Sequence, residues 1–413
     1  MTIKEFKQAL LRGQGRCIIE ATKNPQKYYD TVMWACTRRV SYDPQCEGTH
    51  SAYIYELINC YDDTEPFFRT IVKSLATAKE YPDWELLYFA ELLSNFAMDG
   101  NEQARAELWK KYDVLYAKLL RRKRRPNNVF YDLIAYEHLC LTLITDTESV
   151  IKIAKDIGRL YCEKRYLDDD DLEWIVSSLN KRYYKTLLKK AQKSKYTERF
   201  IKLLEGYDRY IKDVRASLHS VQPKEENAEE SLAECYANAK TFTEKKEILA
   251  QINDAEALDV QSLISDAKSS DEELRRAALN ILEEIRHPQV REFALQQLDR
   301  NVEDALPMFI KNFQKGDEEL LTRLVKSVPV DFDSRHNWHS IHMDVLFMSD
   351  DKQKAPIELL KFIYENNYCS ECRNFVLDIM AKRRLLTDEI LQECLYDSNY
   401  ETRRFAEKHL KAK

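Results

Sequence analysis

The sequence predicts an all-α fold in which antiparallel helix pairs stack into an α-α superhelix. Three observations carry that expectation: glycine is scarce, apolar residues recur at helical spacing, and one helix-sized motif repeats in the C-terminal half. Only 7 of the 413 residues are glycine, against a usual share of roughly 7%. Phosphate-binding loops, dinucleotide turns and two-residue hairpins need glycine for positive φ or close backbone approach. A chain this poor in glycine is not expected to be a P-loop, Rossmann or hairpin-rich β protein.

The motif is E-x-R-R-x-A-x-x-x-L, read at residues 273–282 (ELRRAALNIL) and 401–410 (ETRRFAEKHL). A third copy is 371–380 (ECRNFVLDIM) and a looser fourth is 289–298 (QVREFALQQL). In the first copy Leu274, Ala277, Ala278, Ile281 and Leu282 fall at i, i+3, i+4, i+7 and i+8, which is one face of an α-helix. Small residues at the alanine slot let a neighbouring helix approach closely. Two copies follow polar turns that carry aspartate, 266–271 and 397–399, and short apolar helices are predicted before them at 258–264 and 389–395. Asp and Ser in such turns cap the next helix. This order of helix, Asp-bearing turn and Arg-bearing helix resembles the HEAT-repeat family, particularly its short bacterial HEAT-like members, over about residues 250–413. The resemblance implies a HEAT/armadillo-like solenoid with a long curved surface, the architecture of scaffolds, inhibitors and adaptors.

The N-terminal half is read as helical with less regular units. Residues 84–97 (WELLYFAELLSNFA) are nearly continuous in apolar character and predict a buried helix, followed by an amphipathic helix at 102–120. Helices at 131–145 and 148–161 read as an antiparallel pair joined through the capping sequence Thr145-Asp-Thr-Glu. The clearest break is the polar, proline-containing stretch 219–230. Three regions follow: an irregular helical-repeat region 1–218, a linker or long loop 219–230, and a HEAT-like region 231–413.

No run of eighteen apolar residues occurs, and the first residues lack the apolar core of a secretion signal, so a cytoplasmic protein without a membrane segment is expected. Of the ten cysteines, Cys140, Cys162 and Cys235 lie in apolar helical stretches and read as reduced core residues. Net charge is −6 but unevenly spread: 37 basic against 32 acidic residues in 1–220, then 27 against 38 in 221–413. The acidic half suits a basic partner.

Cys369-Ser-Glu-Cys372 with His336, His339 and His342 has the makings of a zinc ligand set. Against it, Cys372 fills the repeat slot held by Leu274 and Thr402, and more than twenty residues, a predicted helix among them, separate the histidines from the cysteines. The packing reading is adopted, with no metal, no cofactor and no catalytic residue expected. A redox role would need a thioredoxin-like βαβ surround, and no G-x-S-x-G elbow is present. The four aspartates 168–171 read as a solvated helix start. Tyrosine is enriched, at 24 residues, with Tyr28, Tyr29, Tyr42, Tyr53, Tyr55 and Tyr61 clustered early. Such residues serve either interfaces or helix-pair cores whose hydroxyls reach the edge. The polar loop 38–50, with Gly48 as a turn, is a candidate pocket rim.

The second chemical signal is basic. Arg121, Arg122, Lys123, Arg124 and Arg125 form one cluster, and Lys181, Arg182, Tyr183, Tyr184, Lys189 and Lys190 form another; from 118 to 217 there are 23 basic and 15 acidic residues. Stacked side by side, such helices would offer a groove to phosphate backbone and tyrosines to bases. Two functions are therefore expected. The leading one is a non-enzymatic protein-protein interaction scaffold or adaptor, with the repeats' second helices and the tyrosine-rich N-terminal surface as contact faces. The alternative is a nucleic-acid-binding protein similar to the HEAT-like glycosylases that lift alkylated bases. That resemblance implies a basic concave face with an acid and aromatics at its centre; Trp174 beside 168–171 is the comparable cluster, and it matches no motif residue by residue.

Overall fold

The computed structural model describes residues 1–78, 84–122, 129–164, 167, 175, 183–191, 194–218, 232–252, 255–332, 337–348 and 354–411. Among these residues the chain is all-helical, with 24 α-helices and no strand. It divides into two compact units, Met1–Pro223 with Gln392–Arg403, and Lys224–Leu391 with Arg404–Lys413. The stretch 219–230, read as a linker, lies outside the described residues.

Helix boundaries follow local capping chemistry. The helices predicted at 84–97, 102–120, 131–145 and 148–161 run over Glu85–Met98, Glu102–Arg121, Val129–Leu143 and Thr147–Glu163. Asn101 accepts from Ala104 N at 2.9 Å. Asp146, inside the predicted capping sequence, accepts from Ser149 N at 2.8 Å. Such caps occupy backbone donors that the first helical turn leaves unpaired.

In the first unit the Glu85–Met98 helix is central. It touches the Ser51–Ile58, Glu65–Thr77, Glu102–Arg121 and Val129–Leu143 helices, so Leu86, Tyr88, Phe89, Ala90, Leu92, Leu93 and Phe96 are all buried. That explains its nearly continuous apolar sequence. The Thr147–Glu163 helix packs along Lys195–Leu218. A Cβ on Gly158 would lie 1.8 Å from Tyr196 O, so the two helices meet at backbone contact.

Tyrosines supply much of this core. Tyr28, Tyr53 and Tyr88 are buried and donate to Met1 O, Gln14 O and Ala35 O at 2.9, 2.8 and 2.9 Å. Tyr112 and Tyr136 share a hydroxyl contact of 2.8 Å, and Tyr112 reaches Asp156 at 3.0 Å. Burial pushes the Tyr88, Tyr112 and Tyr136 hydroxyls well above their ordinary pKa, which keeps them protonated. Of the early cluster, Tyr28, Tyr53 and Tyr61 are core residues, whereas Tyr29, Tyr42 and Tyr55 are half-buried.

The segment Gln392–Arg403 is clasped within the same unit. Arg16 Nε donates to Glu393 Oε1 at 2.8 Å, Ser398 N donates to Gly13 O at 2.8 Å, and Arg403 pairs with Glu56 at 2.6 Å. A Cβ on Gly15 would stand 2.0 Å from Glu393 O.

In the second unit, helices pack on the next helix or the one after. Val260–Asp266 touches Glu272–Leu282 and Pro288–Gln297; Val302–Lys311 touches Pro288–Gln297, Glu318–Ser327 and Asn337–Phe347. Ser370–Lys382 touches Asn337–Phe347 and Ile357–Asn366. The four motif copies, of which 401–410 begins in the first unit, use equivalent positions alike. Leu274, Val290, Cys372 and Thr402 are buried, and Ala278, Ala294, Val376 and Ala406 are fully so. The arginine that follows the first slot also behaves alike. Arg275 donates to Asp304 at 2.7 Å, Arg291 to Asp317 at 2.9 Å, Arg373 to Asn367 O at 3.3 Å, and Arg403 to Asp397 O.

None of the ten cysteines is in a disulfide; Cys140 is buried and Cys235 half-buried, while Cys162, read as a core residue, is exposed. No described helix is long and apolar enough to cross a membrane.

Candidate functional site

The basic residues divide by environment. Arg121 sits exposed at the end of its helix, its Nε turned back to Ala117 O at 3.1 Å. Arg122 pairs with the buried Asp132, which Lys118 also reaches at 3.1 Å, so much of that charge is compensated locally. Tyr183 and Tyr184 are half-buried against the first unit's core, with the Tyr184 hydroxyl donating to Glu205 at 2.9 Å. Lys185 and Lys189 are exposed on the Tyr184–Ala191 helix, which Lys190 continues. Lys123, Arg124, Arg125, Lys181 and Arg182 lie outside the described residues, as do 168–171 and Trp174.

The helix that ends in this basic run carries an apolar stripe on its outer face. Ala106, Trp109, Lys110, Asp113, Val114, Ala117 and Arg121 line a shallow depression, and Val114 is 56% exposed. Lys152 stands over the Trp109 and Tyr112 rings at 4.6 and 4.1 Å. Sequence alone does not reveal the stripe, because Val114 and Trp109 look like ordinary members of an amphipathic helix. Only the packing of its neighbours shows which face they leave uncovered.

A serine, a histidine and an acid meet in the loop read as a pocket rim. Ser398 Oγ lies 3.2 Å from His50 Nε2, and Glu47 Oε2 lies 3.4 Å from that same nitrogen. A nucleophilic triad needs the acid on the other ring nitrogen, where it orients the base. Nδ1 of His50 has no hydrogen-bond partner, so the trio lacks the arrangement of such a triad.

The sulfur and imidazole groups singled out in the sequence are partly brought together. One ligand atom each from His339, Cys369 and Cys372 lie within 4.8 Å of one another, and Cys372 Sγ is 3.2 Å from His339 Nε2. The two cysteines are buried and the histidine half-buried. Met343 joins them, its Sδ 3.2 Å from Cys372 Sγ. His342 does not: its Nδ1 faces Asn367 Nδ2 at 3.1 Å. Burial drives its pKa down to about 3, leaving a neutral ring. His336 lies outside the described residues. The long sequence separation is bridged because the Asn337–Phe347 and Ser370–Lys382 helices pack directly.

Elsewhere in the second unit two carboxyls are held high. Burial, with Asp344, Asp304 and Glu284 nearby, raises Glu283 to about 7. Burial and Glu284 raise Asp344 to about 6, opposed by Lys311. At these two carboxyls the folded state binds more protons than the unfolded chain between about pH 4.5 and 7, so their contribution to stability falls as pH rises through that window. Replacing Glu283 by Gln is expected to stabilise the protein at pH 8 by on the order of 2 kcal/mol, allowing for partial solvent access, and to change little at pH 4.5. Urea unfolding of both proteins at the two pH values checks this; an equal shift at both would contradict it.

No family model, no curated protein and no solved structure matches this chain.

Proposed function

We propose that this chain is a non-enzymatic protein-binding scaffold or adaptor, built as a HEAT-like α-solenoid whose outer helical faces dock a partner in the cytoplasm. The observation that carries this reading is the shared register of the four motif copies. Equivalent slots are buried alike, and equivalent arginines bond to an acid or carbonyl that follows or precedes their helix. Units that bury their apolar stripes against near neighbours leave outward faces available for docking. Exposed Phe242, Leu295, Phe347 and Ile357 give the second unit apolar anchors on an acidic background, which fits a basic, partly apolar protein surface. The Ala106 to Arg121 stripe gives the first unit another.

A nucleic-acid role is the second reading, favoured by exposed Arg121, Lys185 and Lys189. It is weaker because Arg122 is already paired and Tyr183 and Tyr184 are packed into the unit.

Both readings are tested together. The full chain is used to capture partners from nuclease-treated lysate, and separately titrated with labelled duplex DNA and single-stranded RNA at about 50 and 200 mM salt. The scaffold reading expects a protein partner that survives nuclease and is bound at least about tenfold more weakly by the Val114→Asp or Phe347→Asp variant. Nucleic-acid binding that falls steeply with salt and is lost in an R121E/K185E/K189E chain would replace the scaffold reading.

A further inference from the structure

We propose that His339, Cys369 and Cys372 form a zinc site that pins the Asn337–Phe347 helix to the Ser370–Lys382 helix. The donor set is two thiols and an imidazole, the chemistry preferred by this borderline-soft ion. Tetrahedral zinc, with bonds of about 2.3 Å to sulfur and about 2.0 Å to nitrogen, holds its donors roughly 3.6–3.8 Å apart. The three atoms here span separations from 3.2 Å to no more than 4.8 Å, so small side-chain rotations bring all of them to bonding distance. Met343 lies one helical turn beyond His339, and its Sδ, 3.2 Å from Cys372 Sγ, offers a soft fourth donor.

The repeat register makes the thiols conspicuous. Position for position, Cys369 is the helix-capping residue of its copy, equivalent to Asp271, His287 and Asn399. Those three side chains accept from Leu274 N, Gln289 N and Thr402 N at 2.9, 3.3 and 3.0 Å. Cys369 makes no such cap hydrogen bond, although a thiol is a poor substitute for Ser, Asp or Asn at that place. Cys372 fills the buried slot of its copy, and Cys369 at the cap position is buried near it. Coordination accounts for both, because residues at the cap and third helical position turn their side chains to one side of the helix start. Asn367 Oδ1 accepts from Cys369 N at 2.8 Å and fixes the approach to the helix. On binding, each thiol gives its proton to solvent and the imidazole binds neutral, so up to two protons are released per ion.

The test uses the full chain without a histidine tag. Metal content is measured by mass spectrometry, and the apo protein is titrated with Co2+, which reports thiolate ligation by sulfur-to-cobalt charge-transfer absorption. About one zinc per chain is expected. Cys369→Ser and Cys372→Ser should each bind at least about a hundredfold more weakly. His339→Ala should keep the charge-transfer band but shift the ligand-field bands, and exposed Cys162→Ser should match the parent. Far-ultraviolet dichroism checks that each variant keeps its helix content; if a cysteine variant unfolds, the parent's cobalt spectrum alone decides. No thiolate band in the parent, binding unchanged in the folded cysteine variants, or a Cys369–Cys372 disulfide in protein isolated under reducing conditions would overturn the site.

Discussion

Replacing Gly15 with alanine is expected to destabilise the first unit by about 3 kcal/mol or more, enough to lose much of the folded population. The reason is close approach and not backbone conformation, because Gly15 has an ordinary φ of −61°. Its missing Cβ would sit 2.0 Å from Glu393 O and 2.9 Å from Tyr396 C. A backbone carbonyl cannot swing aside as a long side chain does, so Gln392–Arg403 would have to lift away. Lifting it would break the Arg16–Glu393 and Arg403–Glu56 pairs and the bond between Ser398 N and Gly13 O. Gly158→Ala should behave similarly for the contact with Tyr196 O. Gly206 provides the contrast. It lies in a helix, and a Cβ placed on it would meet nothing within 4 Å, so Gly206→Ala should be neutral or stabilise by roughly 0.5–1 kcal/mol. Thermal unfolding of the three variants checks the order; a Gly15→Ala protein as stable as Gly206→Ala would mean that the clasp is not formed.

Arg291→Ala is the second substitution expected to have a large effect, about 2–3 kcal/mol. Arg291 and Asp317 form an ion pair with side chains 17% and 14% exposed. Arg291 also donates to Asn312 O at 3.1 Å. Removing the guanidinium leaves Asp317 and that carbonyl short of a donor where water reaches them poorly. Arg276, the next arginine of the first copy, is 74% exposed and pairs only with Glu272 on its own helix. Arg276→Ala should therefore change stability by no more than about 0.5 kcal/mol. The difference separates two arginines that look interchangeable in the motif, and chemical denaturation measures it.

Helix positions are legible in the sequence because periodicity and caps are local. The predicted 102–120 and 148–161 segments fall within one or two residues of their helices. The buried slots at Leu274, Ala278 and Leu282 follow from the same spacing, whereas Ala277 and Ile281 are only half-buried because they sit at the margins of the covered stripe. What depends on distant packing cannot be read in this way. The grouping of Gln392–Arg403 with the first unit rests on backbone contacts at Gly13 and Gly15, and nothing in the sequence says what lies beside a glycine. Tyr28 and Tyr53 have the composition of an interface yet face inward, because a tyrosine with a bonded hydroxyl is as well placed in a core as at a surface. The thiol and imidazole residues are visible in the sequence, but the intervening helix hides their convergence. Two helices that pack directly erase the sequence separation.

Amide hydrogen exchange resolved by helix, on the parent and the Arg291→Ala chain, tests the repeat architecture most directly. In an array held by near-neighbour interfaces, local stability is a sum over a unit and its neighbours. Faster exchange is expected in Pro288–Gln297, in the Val260–Asp266 and Val302–Lys311 helices that touch it, and in Glu318–Ser327, which Asp317 heads, with Ile357–Asn366 and Ser370–Lys382 unchanged. Equal acceleration in every helix from Val260–Asp266 to Ser370–Lys382 would show one cooperative core and contradict the stacked-unit reading.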